Sequence, residues 1–295
     1  MRVLIVGCGY VGLPLGADLV RQGHPVWGMR RSAKLNAELE AAGIQPIIAD
    51  VAKRETLARV TPSFDWVVNL VSSAGGGVAE YREVYLQGTR NLLEWLAGVP
   101  LKKYVYTSST GVYGQNDGSL VTEASPTEPA SETGRILVET EKLVFDATKQ
   151  SGFPAVVLRV AGIYGPGRGH LFQQFLKGEA RMAGDGRRIM NMIHVDDLIG
   201  VILAALEKGA AGAAYNAVDD EPVLEIDFLR WLSETQKKPR PPSVPENERP
   251  ERKGRGTNKK VSNFKLTDEL GYRFKFPNFR AGYTPAIDQQ RKIGG

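Results

Sequence analysis

Short apolar runs alternate with segments of helical period through the first 160 residues of the chain. The apolar runs are bounded by turn residues and predict strands at 3–6, 26–29, 44–49, 66–70, 104–107 and 155–160. The segments between them predict helices at 13–21, 33–41, 81–96 and 136–148. This alternation is typical of βαβ units, whose right-handed crossovers build a parallel sheet with helices on both faces. The sequence therefore predicts an α/β fold with a doubly wound parallel sheet.

The pattern becomes irregular after Gly165. A helix is then predicted near 195–206 and a strand near 213–217, and the chain ends in a mixed polar region. We predict a first domain at 1–165, to which 192–218 returns, and a smaller second domain at 166–191 and 219–295.

The positive charge of the chain is concentrated in one segment. The formal net charge is +5, and residues 237–260 hold nine basic against three acidic residues, so the rest of the chain is close to neutral. Five prolines in this segment exclude a continuous helix and predict an exposed loop. A solvated mobile loop and the capture of a phosphate-bearing small molecule are both open interpretations. Nucleic acid is not expected, because no aromatic residue interleaves these charges.

The composition is that of a globular protein, with 42% hydrophobic and 24% charged residues. No apolar run approaches the ~18 residues that a membrane span needs, and no signal-peptide pattern is present. The one cysteine, Cys8, forms no intramolecular disulfide, and the three histidines are too scattered for a metal cluster. We expect a cytoplasmic protein with no membrane partner and no metal.

A glycine-rich loop follows the first predicted strand and opens the first predicted helix. It reads Gly7-Cys8-Gly9-Tyr10-Val11-Gly12, which matches the GxGxxG pattern. The first glycine permits a tight turn, the second lets a pyrophosphate approach the backbone, and the third allows close packing of helix on strand. The N-terminus of the helix offers unpaired N–H groups to the phosphates. The loop therefore predicts a dinucleotide site on a Rossmann-like sheet.

The end of the second predicted strand indicates which dinucleotide is bound. NAD-specific proteins place an acidic residue there to bind the ribose hydroxyls. This chain has Arg30, Arg31 and Ser32 instead, two guanidinium groups and a hydroxyl that suit a 2′-phosphate. We predict NADP as the cofactor in preference to NAD. The alternative is that both arginines only begin a solvated helix.

Further motifs occur in order along nearly the whole chain. They include Gly88-Thr89-Arg90-Asn91-Leu92-Leu93, Ser108-Ser109-Thr110-Gly111-Val112-Tyr113-Gly114, Ile163-Tyr164-Gly165-Pro166-Gly167 and Ile193-His194-Val195-Asp196-Asp197-Leu198. In these motifs the chain resembles the extended short-chain dehydrogenase/reductase superfamily, in its NAD-dependent epimerase/dehydratase branch. The resemblance implies a substrate site between the sheet and the smaller C-terminal domain. It also implies cofactor contacts at Gly7, Gly9, Tyr10, Val11, Gly12, Arg30, Arg31, Ser32, Asp50, Val51, Leu70, Val71 and Ser72.

The catalytic positions implied by the resemblance are only partly retained. Members of the family use a Tyr and a Lys four residues later for proton transfer, with a Ser or Thr that holds the reacting oxygen and an upstream Asn. Ser109 keeps the hydroxyl, whereas Thr133 stands at the Tyr position, Leu137 at the Lys position and Gln87 at the Asn position. An aliphatic hydroxyl without a neighbouring ammonium cannot replace the phenol as an acid. The chain therefore resembles the atypical members that lack the YxxxK pair.

Other residues are candidates for proton transfer and for substrate binding. Glu132 and Tyr85 are conceivable acids, while Tyr113, Tyr164 and His194 are expected to pack and to form structural hydrogen bonds. By resemblance to nucleotide-sugar enzymes, Arg168 and Arg255 are candidates for an anionic or phosphate-bearing group of a small-molecule substrate.

Two functions follow from these observations. The first is an NADP-dependent oxidoreductase or epimerase-like enzyme with a non-standard active site at Ser109, Thr133 and Gln87. The second is a non-catalytic NADP-binding sensor or scaffold protein, which the substitutions at Thr133 and Leu137 favour. The resemblance also makes a homodimer conceivable.

Overall fold

The chain forms fifteen strands within the residues that this computed structural model describes, which are 1–73, 75, 77–245 and 257–294. In chain order they are β1 (Val3–Val6), β2 (Val26–Arg30), β3 (Gln45–Ile48), β4 (Trp66–Asn69), β5 (Lys103–Ser109), β6 (Leu120–Val121), β7 (Ala155–Val160), β8 (Gly162–Tyr164), β9 (Met182–Ala183), β10 (Ile189–Met190), β11 (Met192–His194), β12 (Ala214–Ala217), β13 (Val223–Leu224), β14 (Ser243–Val244) and β15 (Lys260–Val261).

The α-helices alternate with these strands through the first two thirds of the chain. They are α1 (Gly12–Arg21), α2 (Asn36–Ala41), α3 (Arg54–Leu57), α4 (Gly77–Tyr81), α5 (Gly88–Trp95), α6 (Glu132–Ser151), α7 (His170–Lys177), α8 (Val195–Lys208), α9 (Glu225–Gln236), α10 (Phe264–Leu270) and α11 (Phe279–Gly294). A π-helical stretch, Arg82–Gln87, joins α4 to α5, so the helix predicted at 81–96 is a succession of three segments.

Seven parallel strands make the central sheet, in the order β3-β2-β1-β4-β5-β7-β12. The chain reverses direction across the sheet between β1 and β4, and ligands of open α/β sheets bind at such a point, outside the carboxyl ends of the strands. This topology confirms the predicted doubly wound α/β fold.

Six of the seven strands of the sheet bury side chains on both faces, as expected for a parallel sheet covered by helices. The exception is the edge strand β3, whose residues are half-buried or exposed. In β1, Val3 and Ile5 join the core cluster that includes residues of α1 and α8, whereas Leu4 and Val6 join the one that includes residues of α5 and α6. The alternation follows from the two-residue period of a strand. Two separate cores therefore fix the sheet from both sides.

A third core cluster lies among the later elements and holds Leu171 of α7, Phe228 of α9 and Ile287 of α11. The division of the chain into two domains stays a prediction.

The loop predicted at 237–260 is corrected at its two ends. Strand β14 pairs with β9, and β15 pairs with β6. Lys259, just before β15, is only 5% exposed. Pairing with strands far away in the sequence leaves no signal in the charge and proline content, which is why the sequence predicts a loop there. In the structure these two parts of the segment are paired strands.

Candidate functional site

The glycine-rich loop turns sharply between β1 and α1. Gly7 has a φ of +80°, and a Cβ built on it would lie 2.8 Å from the carbonyl carbon and oxygen of Leu70. The N–H groups of Gly7 and Cys8 both donate to the Met29 carbonyl, at 3.0 and 3.2 Å. Only glycine combines this dihedral with this close approach. The first glycine thus ties the ends of β1, β2 and β4 together.

The other two glycines have opposite surroundings. A Cβ on Gly12 would lie 2.9 Å from Ile5 Cγ2, so this glycine brings α1 against the sheet. A Cβ on Gly9 would meet no heavy atom closer than the Gly7 carbonyl oxygen at 3.9 Å. Helix α1 begins without a side-chain cap and without an acidic residue in its first turn. Open space over Gly9 and uncapped N–H groups fit the pyrophosphate of a dinucleotide.

Two arginines stand at the carboxyl end of β2. Arg30 is half-buried, and Arg31 and Ser32 are exposed. Within the described part of the chain, neither guanidinium pairs with a carboxylate. Burial raises the pKa of the Cys8 thiol to about 12, while the charge of Arg30 acts in the opposite direction. The buried thiol is therefore protonated, and both guanidinium groups are available to an anion.

The remaining predicted cofactor residues follow β3 and β4. The Asp50 carboxylate accepts a hydrogen bond from Ala52 N at 3.0 Å, and the buried Val51 packs against Gly88 of α5. The N–H of Val71 donates to the Asn69 amide oxygen at 3.3 Å. Ser72, next in the chain, is exposed.

Tyr10 and Arg168 contact each other. The Tyr10 hydroxyl donates to the Pro166 carbonyl at 3.0 Å, and the Arg168 guanidinium lies over the Tyr10 ring at 4.9 Å. Arg168 thus lies beside the glycine-rich loop, and it is not among the residues that line the cleft described next. The predicted contact of Arg168 with substrate stays a prediction. Arg255, the other predicted substrate residue, lies outside the described residues.

A cleft of about 1000 Å³ opens at the carboxyl end of β5 and β7. Ser109, Thr133 and Leu137 line it from the side of the sheet, and residues of α7, α9 and α11 line it from the other side. Clefts of this size, lined by apolar groups with a few polar ones, are typical of small-molecule sites.

Ser109 and Thr133 are brought to one wall of the cleft by tight local turns. The Ser109 Oγ accepts a hydrogen bond from Gly111 N at 3.1 Å, at the start of a 3₁₀ turn. The Ser131 Oγ accepts from Gly134 N at 3.1 Å and caps α6, so this helix begins at 132 rather than at the predicted 136. Thr133 Oγ1 donates to the same Ser131 oxygen at 3.5 Å. Two hydroxyl groups therefore face one cleft.

Of the other two positions of the family tetrad, Leu137 lines the cleft with an apolar side chain and Gln87 lies outside it. Leu137 is buried in a cluster with Tyr81 and Val112. The Gln87 side chain donates to Asn91 Oδ1 at 2.8 Å within its own helix and does not line the cleft. The structure thus brings together Ser109 and Thr133 but not Gln87.

The proposed alternative acids are also absent from the described cleft lining. Neither Glu132 nor Tyr85 contributes to it, whereas Tyr81 does. The Tyr81 ring packs 4.8 Å from that of Tyr85, and burial raises the pKa of Tyr81 above its usual value. Sequence reasoning missed Tyr81, because a tyrosine one turn from another on an apolar helix carries no distinct signal.

A buried polar network lies behind Ser109. Arg159 NH2 and Glu141 Oε2 form an ion pair at 2.8 Å, and Ser108 Oγ donates to Glu141 Oε1 at 2.6 Å. The second arm of Arg159 donates to the Tyr113 hydroxyl at 2.8 Å, which in turn donates to Asn216 Oδ1 at 2.8 Å. The network joins β5, α6, β7 and β12 and fixes the strand that ends at Ser109.

His194 and Tyr164 have structural partners. The His194 Nδ1 accepts from Asp196 N at 3.2 Å at the start of α8, and burial lowers the pKa of the ring. The Tyr164 hydroxyl donates to the Asn278 carbonyl at 3.2 Å, and its ring stacks on Tyr283 at 4.6 Å. These contacts agree with the packing roles expected from the sequence.

A lysine that the sequence did not single out, Lys259, also lines the cleft. The Lys259 Nζ donates to the Tyr113 carbonyl at 3.1 Å. Burial and the nearby charge of Arg188 lower the pKa of Lys259 to about 8. Its only sequence signal was membership of the basic segment 237–260.

Metal-binding clusters and membrane-spanning helices are both absent from the described residues. These residues hold no group of three or more His, Cys, Asp or Glu side chains suited to a metal ion. None of their helices combines the length and apolar character that crossing a membrane requires.

Comparisons with known proteins agree with the fold and the glycine-rich loop. The chain is 26% identical over 285 residues to Protein YeeZ of Escherichia coli (strain K12), covering 94% of this chain and 97% of that protein. It is 28% identical to the 2-alkyl-3-oxoalkanoate reductase of Shewanella oneidensis, covering 76% and 63%. The structure of UDP-glucuronic acid 4-epimerase from Bacillus cereus in complex with NAD has the same fold, with a TM-score of 0.81, 22% identity and full coverage of both chains. Residues 3–218 match the model of the NAD dependent epimerase/dehydratase family, and the chain belongs to this family.

Proposed function

We propose that the protein is an NADP-dependent oxidoreductase that reduces a carbonyl group of a small molecule. The observation that carries the proposal is the cradle at the start of α1, where Gly9 leaves open space between two closely packed glycines. A dinucleotide pyrophosphate fits such a cradle, since uncapped N–H groups and the helix dipole favour negative charge.

The preference for NADP rests on the end of β2. Gly7, Gly9 and Gly12 would hold the pyrophosphate, and Arg30 with Arg31 would hold the 2′-phosphate through charge-assisted hydrogen bonds. An acidic residue in this position would repel that phosphate, and none follows β2 here.

Reduction requires the cleft to orient a carbonyl and to polarise it. The bound cofactor supplies the hydride. Ser109 can donate a hydrogen bond to the carbonyl oxygen, because the Gly111 N–H already fixes the Ser109 oxygen and its proton stays free to point into the cleft. The Thr133 hydroxyl donates to Ser131 Oγ at 3.5 Å and would have to rotate away from that oxygen to do the same. The name of the Shewanella oneidensis relative, a reductase of 2-alkyl-3-oxoalkanoates, supports a carbonyl substrate.

The alternative function is a non-catalytic NADP-binding sensor or scaffold. Leu137 favours it, because this side chain is packed in an apolar cluster and supplies no ammonium, at the family's Lys position, to acidify a hydroxyl. Under this alternative the cofactor binds and the cleft performs no reduction.

Cofactor preference is tested by fluorescence titration of the purified protein with NADPH and NADH. We expect NADPH to bind at least tenfold more tightly, a difference of about 1.4 kcal/mol. Arg30→Asp should erase the preference, and Arg230→Asp, on α9, is the control with the same change of charge. Equal affinities for both cofactors in the unmodified protein would contradict the proposal.

Catalysis is tested by following NADPH oxidation with phenanthrenequinone and with a 2-alkyl-3-oxoalkanoate. We expect Ser109→Ala to lower kcat by about 100-fold, since an oriented donor to the developing oxyanion is lost, while NADPH affinity is unchanged. Tight NADPH binding without oxidation of the cofactor by either probe would favour the sensor.

A further inference from the structure

The glycine-rich loop is packed against a tight turn that follows β8, at residues 165–168. The Tyr10 hydroxyl donates to the Pro166 carbonyl at 3.0 Å. The Arg168 N–H donates to the Gly165 carbonyl at 3.0 Å and closes the turn. A Cβ on Gly165 would lie 3.0 Å from the Tyr10 hydroxyl oxygen, so the turn and the loop are in direct contact. These contacts fix the backbone of Arg168 beside the loop.

The Arg168 side chain extends over the loop itself. Its guanidinium lies 4.9 Å from the centroid of the Tyr10 ring. Tyr10 directly follows Gly9, where a Cβ would meet open space, and it lies just before α1 begins at Gly12. The guanidinium is therefore next to the open cradle and to the uncapped N-terminus of this helix.

Arg168 is charged and has no acidic partner among the residues that the structure describes. Its side chain is exposed, and no ion pair in those ranges ends on it. Asp196, whose charge acts on Tyr10, is paired with Lys275 at 3.2 Å. A guanidinium stays protonated throughout the neutral pH range, so this one can pair with an anion.

We propose that Arg168 binds the pyrophosphate of the dinucleotide and so completes the cofactor site above the glycine-rich loop. The inference rests on the proposed function, because it requires a dinucleotide on that loop. A guanidinium donates two parallel hydrogen bonds to phosphate oxygens, and the N–H groups at the start of α1 favour the same negative charge. Arg168 thus receives a phosphate of the cofactor as its ligand, in place of the substrate group predicted from the sequence.

The proposal divides the phosphates of the cofactor between two sets of arginines. Arg30 and Arg31 would hold the 2′-phosphate, which only NADPH carries, whereas Arg168 would hold the pyrophosphate, which NADPH and NADH share. Adenosine 2′-monophosphate carries the first group and lacks the second. Loss of Arg168 should therefore weaken the binding of both dinucleotides by the same factor and leave the binding of the mononucleotide unaffected.

Calorimetric titration with NADPH, NADH and adenosine 2′-monophosphate tests this division. In Arg168→Met we expect both dinucleotides to bind about tenfold more weakly, because a charge-assisted pair with a phosphate is lost. The affinity for adenosine 2′-monophosphate should stay within about twofold of that of the unmodified protein. Arg168→Lys keeps the charge but loses the planar fork, and it should have an intermediate effect. Arg187→Met, at an exposed position, is the control with the same change of charge and should bind all three ligands as the unmodified protein does.

The ³¹P resonances of bound NADPH identify the phosphate that Arg168 contacts. At saturating NADPH, Arg168→Met should shift the pyrophosphate resonances and leave the 2′-phosphate resonance in place. A shift confined to the 2′-phosphate would overturn the proposal.

Three results of the titrations would also overturn it. They are an unchanged affinity of Arg168→Met for both dinucleotides, an equal loss of affinity for adenosine 2′-monophosphate, and an equal loss in Arg187→Met. An unmodified protein that binds neither dinucleotide refutes the proposed function together with the role of Arg168. Tight binding of NADPH that does not depend on Arg168 refutes the role of Arg168 alone.

Discussion

Removing either partner of the buried ion pair between Glu141 and Arg159 should strongly destabilise the protein. Both side chains are almost completely buried, and three of the hydrogen bonds of Arg159 end on this one carboxylate, at 2.8 to 3.2 Å. Glu141→Leu would leave the guanidinium with the Tyr113 hydroxyl and a backbone carbonyl, and the Ser108 hydroxyl without its acceptor.

The expected magnitude follows from the burial of both charges. Loss of one partner of a buried pair costs about 3–5 kcal/mol, because the other charge stays desolvated and unpaired. Arg159→Met should cost a similar amount, because the Glu141 carboxylate then stays buried without its partner. The double variant removes both charges and should cost no more than either single variant, since an apolar pair leaves no uncompensated charge.

Urea unfolding of the four proteins, followed by circular dichroism, measures these free energies in a double-mutant cycle. The reasoning predicts a coupling energy of about 3 kcal/mol or more between the two positions. Additive costs in the double variant, or a cost below about 1 kcal/mol in either single variant, would refute it. Lys142→Met in the same helix turn is an exposed control and should be within about 0.5 kcal/mol of the unmodified protein.

Two further predictions concern the glycine-rich loop and a buried carboxyl group. Gly7→Ala should destabilise the protein by about 1–3 kcal/mol in urea unfolding, because its Cβ would meet the Leu70 carbonyl. Gly9→Ala should weaken NADPH binding and leave the free energy of unfolding unchanged, because its Cβ would meet open space. Equal destabilisation by the two variants would contradict this reasoning. Burial raises the pKa of Asp219 to about 9, so this group binds a proton in the folded state and loses it on unfolding. As the pH rises from about 4 to about 9, the free energy of unfolding should therefore decrease by up to about 1.4 kcal/mol per pH unit. Asp219→Asn should remove this dependence. Parallel pH profiles of the two proteins would show that Asp219 does not titrate in this way.

The central sheet could be predicted because its signal is local. Each of its first six predicted strands is a short apolar run between turn residues, and all six are present within one or two residues of the predicted ends. The start of α6 was predicted four residues late, because the cap at Ser131 precedes the apolar repeat that marks the helix.

The candidate site could be predicted only where a motif carried it. Ser109 and Thr133 came from ordered motifs, and they meet in one cleft. Lys259 could not be found, since its burial depends on the pairing of β15 with β6, about 140 residues earlier. Long-range pairing of two-residue strands has no signature in local composition, and the surrounding prolines and charges indicate exposure instead.

The positions of the charges in the cleft bear on the chemistry that it can perform. In the resembled enzymes an ammonium on the helix equivalent to α6 stands beside the reacting oxygen, and here Leu137 fills that position within an apolar cluster. Among the described residues of this cleft, the cationic side chains are those of Arg188 and Lys259, in the segments before β10 and β15. The hydroxyl groups of Ser109 and Thr133 face the cleft from the sheet side, without that ammonium beside them. Binding energy from the parts of a substrate that do not react can orient its carbonyl, which matters most where the acid catalyst is weak.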